Sequence, residues 1–167
     1  VNLIYTVTLN PAMDNTLVLD SLVKGEVNRS KKTIMDVGGK GINVSKVIRA
    51  LGEENITLGF LGEENKDNFI KYLDNLNIKN DFVFVKGETR TNVKIVEENN
   101  SIYTDINQKG FEISREDVKR IIDKITSIAK EKDIVVLSGS LPAGVENDIY
   151  FKIIEALKSK NIKTVLD

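Results

Sequence analysis

The 167-residue chain contains no cysteine and no histidine. Without cysteine it has no disulfides, no thiolate metal site and no cysteine nucleophile, and it suits a reducing compartment, so a cytoplasmic setting is expected. Without histidine it can build neither a Ser-His-Asp triad nor an HExxH zinc site, which leaves acid–base chemistry to carboxylates, lysine and tyrosine. Long apolar runs are missing too. The stretch 1–9 is apolar but short, has no basic flank and runs into Asn10-Pro11, so neither a signal peptide nor a membrane span is expected there. Net charge is -1, with acids and bases interspersed, and so neither nucleic acid nor an anionic membrane is an expected partner. No repeat, low-complexity tract or linker interrupts a composition that is 41% apolar and 29% charged, which points to one globular unit with a core.

What is present is an alternation of strand and helix patterns. Leu3–Leu9 is rich in β-branched residues and is stopped by Pro11, which pushes its neighbour out of helical geometry. Asn15–Asp20 and Lys32–Val37 read as short extended pieces. Val44, Val47, Ile48 and Leu51 recur at i, i+3, i+4 and i+7, the mark of one helix face, closed by Gly52, with Lys46 and Arg49 on the solvated side. A strand is expected over 56–61, a helix over 66–76, and strands over 81–85, 90–96 and 102–106, the last two as a hairpin. Ser114-Arg115-Glu116-Asp117 resembles a capping box and opens the strongest helix, to Ala129. The continuous apolar run Asp133–Leu137 suits a parallel strand covered on both faces, followed by a helix over 148–159 and a last strand over 162–167. The expected fold is α/β, a parallel sheet with right-handed crossovers flanked by helices, with the strands near 15–37 and 90–107 forming a small β-sheet lid.

Chemistry concentrates around Asp36-Val37-Gly38-Gly39-Lys40-Gly41-Ile42-Asn43-Val44. A glycine-rich turn opening into a helix presents unpaired backbone N–H groups at the positive end of the helix dipole, and Lys40 adds a mobile charge, so the turn suits a phosphate or a polyol. A Walker A loop fails, because Gly41 stands where Ser or Thr is required and Ile34 where the first glycine belongs. A dinucleotide fingerprint built on Gly39, Gly41 and the acidic Glu63 stays open, although Val44 occupies its third glycine position, and so does a plain connector. Asp14 lies just past the carboxyl end of the first strand, where open α/β sheets place ligands. Ser138-Gly139-Ser140-Leu141-Pro142 follows a buried strand but lacks the last glycine of a nucleophile elbow, so it reads as a binding loop. Asp14 would accept hydrogen bonds from sugar hydroxyls, Lys40 would neutralise phosphate, and Gly38 and Gly39 would permit close backbone approach.

Taken in order, Asn10-Pro11-Ala12-Met13-Asp14, Gly38–Val44, Gly87-Glu88-Thr89-Arg90 and Ser138–Pro142 resemble the motifs of the ribokinase-like, PfkB-type sugar kinases, in their phosphosugar branch. Within that branch, Asn92-Val93-Lys94, Thr104-Asp105-Ile106-Asn107 and Gly110-Phe111-Glu112 are most similar to enzymes acting on fructose 1-phosphate, with those acting on tagatose 6-phosphate close behind. The resemblance implies ATP- and Mg2+-dependent phosphorylation of the C6 hydroxyl of fructose 1-phosphate. It assigns Asp14 to hydroxyl recognition, Lys40 and Arg90 to substrate phosphate, Asn43 to sugar or phosphate, and Ser138 or Ser140 to the sugar side of the cleft. It also implies a lid that closes over the sugar and can pair two subunits as a homodimer. Family members run to nearly twice this length. Their Gly-x-Gly-Asp element with the catalytic base, and the Asn-x-x-Glu residues associated with magnesium, are not found here. Residues 1–167 are therefore expected to be the N-terminal, sugar-binding part of one kinase domain, with no catalytic residue and no metal ligand assigned and the main nucleotide site beyond Asp167.

Overall fold

In the computed structural model, which describes residues 2–167, β-branched runs form strands and the 3.6-period segments form helices. The order is β1 (Ile4–Thr8), β2 (Ala12–Leu19), β3 (Lys32–Gly38), α1 (Lys40–Ala50), β4 (Asn55–Gly62), α2 (Lys66–Asn75), β5 (Lys79–Asn80), β6 (Val83–Val85), β7 (Arg90–Glu97), β8 (Ile102–Asn107), α3 (Arg115–Ile128), β9 (Ile134–Leu137), α4 (Ile149–Lys158) and β10 (Lys163–Leu166). The main sheet runs β10-β9-β1-β4-β5, with β6 continuing beside β4, and its recorded pairings are parallel. The second sheet runs β3-β2-β7-β8. There β2 and β7 pair in parallel, while β3 and β8 flank them antiparallel.

Successive side chains of a strand face opposite ways, and each face of the main sheet has its own cover. Ile121, Ile125, Ile153 and Leu157 of α3 and α4 pack with Val7, Leu58, Phe60, Val135 and Leu137 on one side. Phe69 and Leu73 of α2 join Ile42 of α1, Val37 and Leu61 in a second cluster. The strongest helix starts as its sequence foretells. The Ser114 hydroxyl accepts from the Asp117 amide while the Asp117 carboxylate accepts from the Ser114 amide, a reciprocal cap. Among the described residues no helix is long and apolar enough to cross a membrane.

Four local expectations change. The Val44, Val47, Ile48, Leu51 stripe is not the packing face of α1: Val47 is 59% and Leu51 77% exposed, whereas Gly41, Ile42 and Ser45 are buried. The reason is how near the helix lies to β1. A Cβ on Gly41 would meet Thr8 Oγ1 at 2.5 Å and the Val7 carbonyl at 2.7 Å, and the Ser45 and Thr6 hydroxyls share a hydrogen bond of 2.6 Å. Small residues make the contact and large ones are turned out. Lys46 is not solvated; its ammonium donates to Asp36 Oδ1 and to the Val37 carbonyl, both at 2.6 Å. Asp14, expected just past the carboxyl end of the first strand and before the extended piece at Asn15, is the third residue of β2, because only Leu9, Asn10 and Pro11 separate the two strands. The two-residue β5 lies in a stretch with no strand signal of its own.

The geometry of α1 makes a direct prediction for urea unfolding. Ile42→Ala should cost about 2–5 kcal/mol, as for a buried aliphatic truncation. Leu51→Lys should stay within about 0.5 kcal/mol, and a comparable loss at Leu51 would contradict the packing described.

Candidate functional site

The candidate site gathers at the carboxyl ends of the main-sheet strands. Residues 9–11 leave β1, residues 138–142 leave β9, Asp167 follows β10, and α1 begins at Lys40 with Gly39 as its N-cap at φ 132°, a conformation that favours glycine. The Ser138 loop comes up against this turn: a Cβ on Gly139 would lie 3.6 Å from Lys40 Cβ. Tyr150 of α4 steadies the loop from behind, its hydroxyl donating to the Gly139 carbonyl at 2.9 Å. Burial pushes the Tyr150 phenol up to about 12, so it remains a donor through the neutral range.

Asn10 ties the pieces together. Its side-chain amide donates to Ser140 Oγ at 3.2 Å and to the Leu141 carbonyl at 3.3 Å. Its own carbonyl accepts from Arg90 Nη2 at 3.2 Å, and the Pro11 carbonyl accepts from Arg90 Nε at 3.4 Å. Gly110 packs on the Arg90 stem. Arg90, at the start of β7, is thus fixed on the chain leaving β1, and the remaining N–H groups of its fork are available to a ligand. Lys40 is exposed and its ammonium lies 3.2 Å from Asp167 Oδ2; an exposed pair of this kind holds weakly and exchanges readily for another anion.

The second sheet supplies the other wall. Strand register puts Asp14 opposite Asp36 on one side and Asn92 on the other, with Asn107 opposite Asn92. The next rung carries Thr16, Lys94 and Asp105. These side chains line one pocket of about 390 Å³. Asn92 Nδ2 donates to Asp14 Oδ1 at 3.1 Å, while Asn92 Oδ1 is buried with no hydrogen-bond partner among the described residues. Gly38 sits so close to Asp14 that any Cβ there would overlap the carboxylate. At the back of this wall, Lys46 holds Asp36 to α1. Burial, then the nearby Asp36 carboxylate, raises the Tyr72 phenol above its ordinary value.

The structure brings Asp14, Gly38, Gly39, Lys40, Arg90 and Ser140 to one end of the main sheet. Asn43 is exposed on the first turn of α1. Ser138 is fully buried, its hydroxyl without a partner among the described residues, so Ser140 is the serine of that loop with surface to offer. The turn 38–41 follows β3, a strand of the second sheet, rather than a strand of the parallel sheet. The strand–turn–helix geometry a dinucleotide fingerprint needs is therefore missing, and Glu63 stands exposed after β4 without a role in that reading. Sequence reasoning gave Tyr150 no site role, named Asp36 only as the start of the glycine-rich stretch, and used Asn10, Asn92 and Lys94 only as marks of resemblance. Asn10 could have been found, since a polar residue before proline at a strand end is an ordinary site position; the others depend on register.

Overlap between Gly38 and Asp14 is directly testable. Gly38→Ala should destabilise the chain by about 1–3 kcal/mol in urea unfolding, and the Gly38→Ala/Asp14→Ala double variant should recover most of that loss, because the two positions are coupled. Simple addition of the two single effects would argue against the contact.

Comparison with known proteins agrees with this architecture. Residues 7–167 match the pfkB family of carbohydrate kinases. The chain is 40% identical to 1-phosphofructokinase of Escherichia coli strain K12 over 157 residues, 94% of this chain and 50% of that protein. It is also 40% identical to 1-phosphofructokinase of Bacillus subtilis strain 168 over 165 residues, 99% of this chain and 53% of that protein. Phosphofructokinase-2 of Escherichia coli, solved in complex with fructose-6-phosphate, superposes with a TM-score of 0.91 at 24% identity, covering all of this chain and 55% of that one, a likeness of fold. The chain spans about half the length of the curated relatives it matches, and it belongs to the pfkB family of carbohydrate kinases, with their ribokinase-like fold.

Proposed function

We propose that this chain is the sugar-binding half of a kinase that phosphorylates a sugar phosphate, and that the sugar is fructose 1-phosphate, converted to the 1,6-bisphosphate. The observation that carries the proposal is the Asp14 carboxylate, oriented by Asn92, lining a polar pocket of the second sheet and packed against Gly38, two residues before α1. An acid that accepts hydrogen bonds, next to a helix N-terminus and two cations, is the chemistry a phosphorylated polyol requires. Asp14 takes hydroxyls, Arg90 and Lys40 offset the phosphate, Asn43 and Ser140 contact the ligand from the first turn of α1 and the loop after β9, and Gly38 and Gly39 keep the approach open. Enclosure beneath the second sheet would exclude water and favour transfer to sugar over hydrolysis. The 40% identity to two proteins named 1-phosphofructokinase supports the choice of sugar. A cytoplasmic setting is part of the proposal.

When bound, ATP supplies the phosphoryl group and Mg2+ offsets its charge. Among the described residues no three carboxylate, imidazole or thiol groups converge as a cation set, and no Mg2+ ligand is assigned to this chain. The lid's outer face carries Met35, Ile102 and Ile106, exposed by 44%, 47% and 54%, on the same side as Leu17, Val93 and Ile95. Pairing of two copies through this face is the partner arrangement it supports.

In amide-resolved NMR titrations the chain should bind fructose 1-phosphate more tightly than tagatose 6-phosphate. Arg90→Ala and Lys40→Ala should each weaken binding by roughly 1.5–3 kcal/mol if they make charge-assisted bonds to the phosphate. The reverse sugar order would favour tagatose 6-phosphate, and unchanged affinity in both variants would remove those roles. For the lid, Ile102→Lys/Ile106→Lys should shift a sedimenting dimer to monomer; a wild-type chain that sediments as monomer at high concentration would exclude the pairing.

A further inference from the structure

Arg90, Asn92 and Lys94 share one face of β7, each rung about 7 Å from the last along a strand, and Asn92 and Lys94 line the pocket. Neighbouring cations each have a hydrogen-bonded partner, although Arg90 keeps further N–H groups and the exposed Lys40–Asp167 pair is weak. Arg90 holds the Asn10 and Pro11 carbonyls, Lys46 holds Asp36 and Val37, and Lys40 lies against Asp167. Lys94 differs. Its recorded charge partner is Asp105 at 3.8 Å, both side chains half exposed, a separation outside hydrogen-bond range. One rung away, Asn92 spends its donor on Asp14 and is left with a buried, unpartnered amide oxygen beside the carboxylate.

These groups state what a ligand must bring. Asp14 and Asn92 Oδ1 only accept, so the ligand needs two O–H donors side by side; Lys94 only donates, so one rung further on it needs an anionic acceptor. A polyol with a terminal phosphate meets both conditions. Resting on the sugar-phosphate reading, the geometry points to Lys94 as the group by which the second sheet distinguishes a phosphorylated sugar from a free one, with Asp14 and Asn92 reading adjacent hydroxyls. Of the carboxylates facing this pocket, Asp36 is offset by Lys46, whereas Asp105 is the charge a phosphate must displace from Lys94. Arg90 and Lys40 meet the phosphate from the base of the sheet, and Lys94 adds the contact that ties the sheet itself to it, a contact a free sugar lacks.

The test compares fructose 1-phosphate with fructose in amide-resolved NMR titrations of the 167-residue chain. Lys94→Ala should lower the ratio of the two affinities about tenfold, the loss of one charge-assisted contact, and Lys94→Arg should retain most of it. A Lys94→Ala ratio equal to that of the wild type overturns the role of Lys94 while leaving sugar-phosphate binding standing. A wild-type chain with no saturable response to fructose 1-phosphate or tagatose 6-phosphate overturns the sugar-phosphate reading itself, and this role with it.

Discussion

The turn from Gly38 to Gly41 rests on the end of β1 with no space for a side chain between them, and the site depends on that contact. Side chains at Gly39 and Gly41 would run into Thr8 and the Val7 carbonyl, and one at Gly38 into the Asp14 carboxylate. Because all three are glycine, the N-terminus of α1, where backbone N–H groups lack helical partners, lies close against the end of β1 and near Asp14. A bulkier turn would lift the helix from the sheet and separate the two halves of the pocket.

Around this contact the polar network is nearly closed, and the closures are informative. Asn10 joins the loop after β9 to the chain leaving β1, Arg90 clamps the same chain from the second sheet, and Tyr150 holds Gly139 from α4. Lys46 ties β3 to α1. The second sheet is thereby anchored near the bases of β3 and β7, while its far end, where Tyr103 and Ile102 are exposed, carries no comparable polar tie to the main sheet among the described residues. Among the groups left without partners, Asn92 Oδ1 belongs to a residue lining the pocket, where an unpaired buried acceptor is a cost that a ligand hydroxyl can relieve.

The second sheet also shows how alternation separates two tasks. Residues of one parity on its strands, Asp14, Thr16, Asp36, Asn92 and Lys94 among them, line the polar pocket, and those of the other parity include the apolar Leu17, Met35, Val93, Ile95 and Ile106. A shift of one residue in any pairing would exchange the two sets, so register, rather than composition, decides which residues meet the ligand and which meet another surface.

Most strands and helices were legible along the chain because their signals are local: β-branched runs, Pro11 and Gly52 as stops, the Ser114–Asp117 cap, and the periodic stripe of α3. The ordered motifs were enough to place the chain among the sugar kinases, and they pointed to Asp14, Arg90 and the Gly38–Gly41 turn. What the sequence could not decide is which side of α1 faces inward, since that follows from how close the helix lies to Thr6 and Thr8 and not from where its large apolar residues fall. Nor could it show that Lys46 is engaged, that Ser138 is enclosed while Ser140 is open, or that Asn92 orients Asp14. Each of these is a meeting of residues tens of positions apart, set by strand register and by the distance between layers, quantities that only the packed tertiary structure defines.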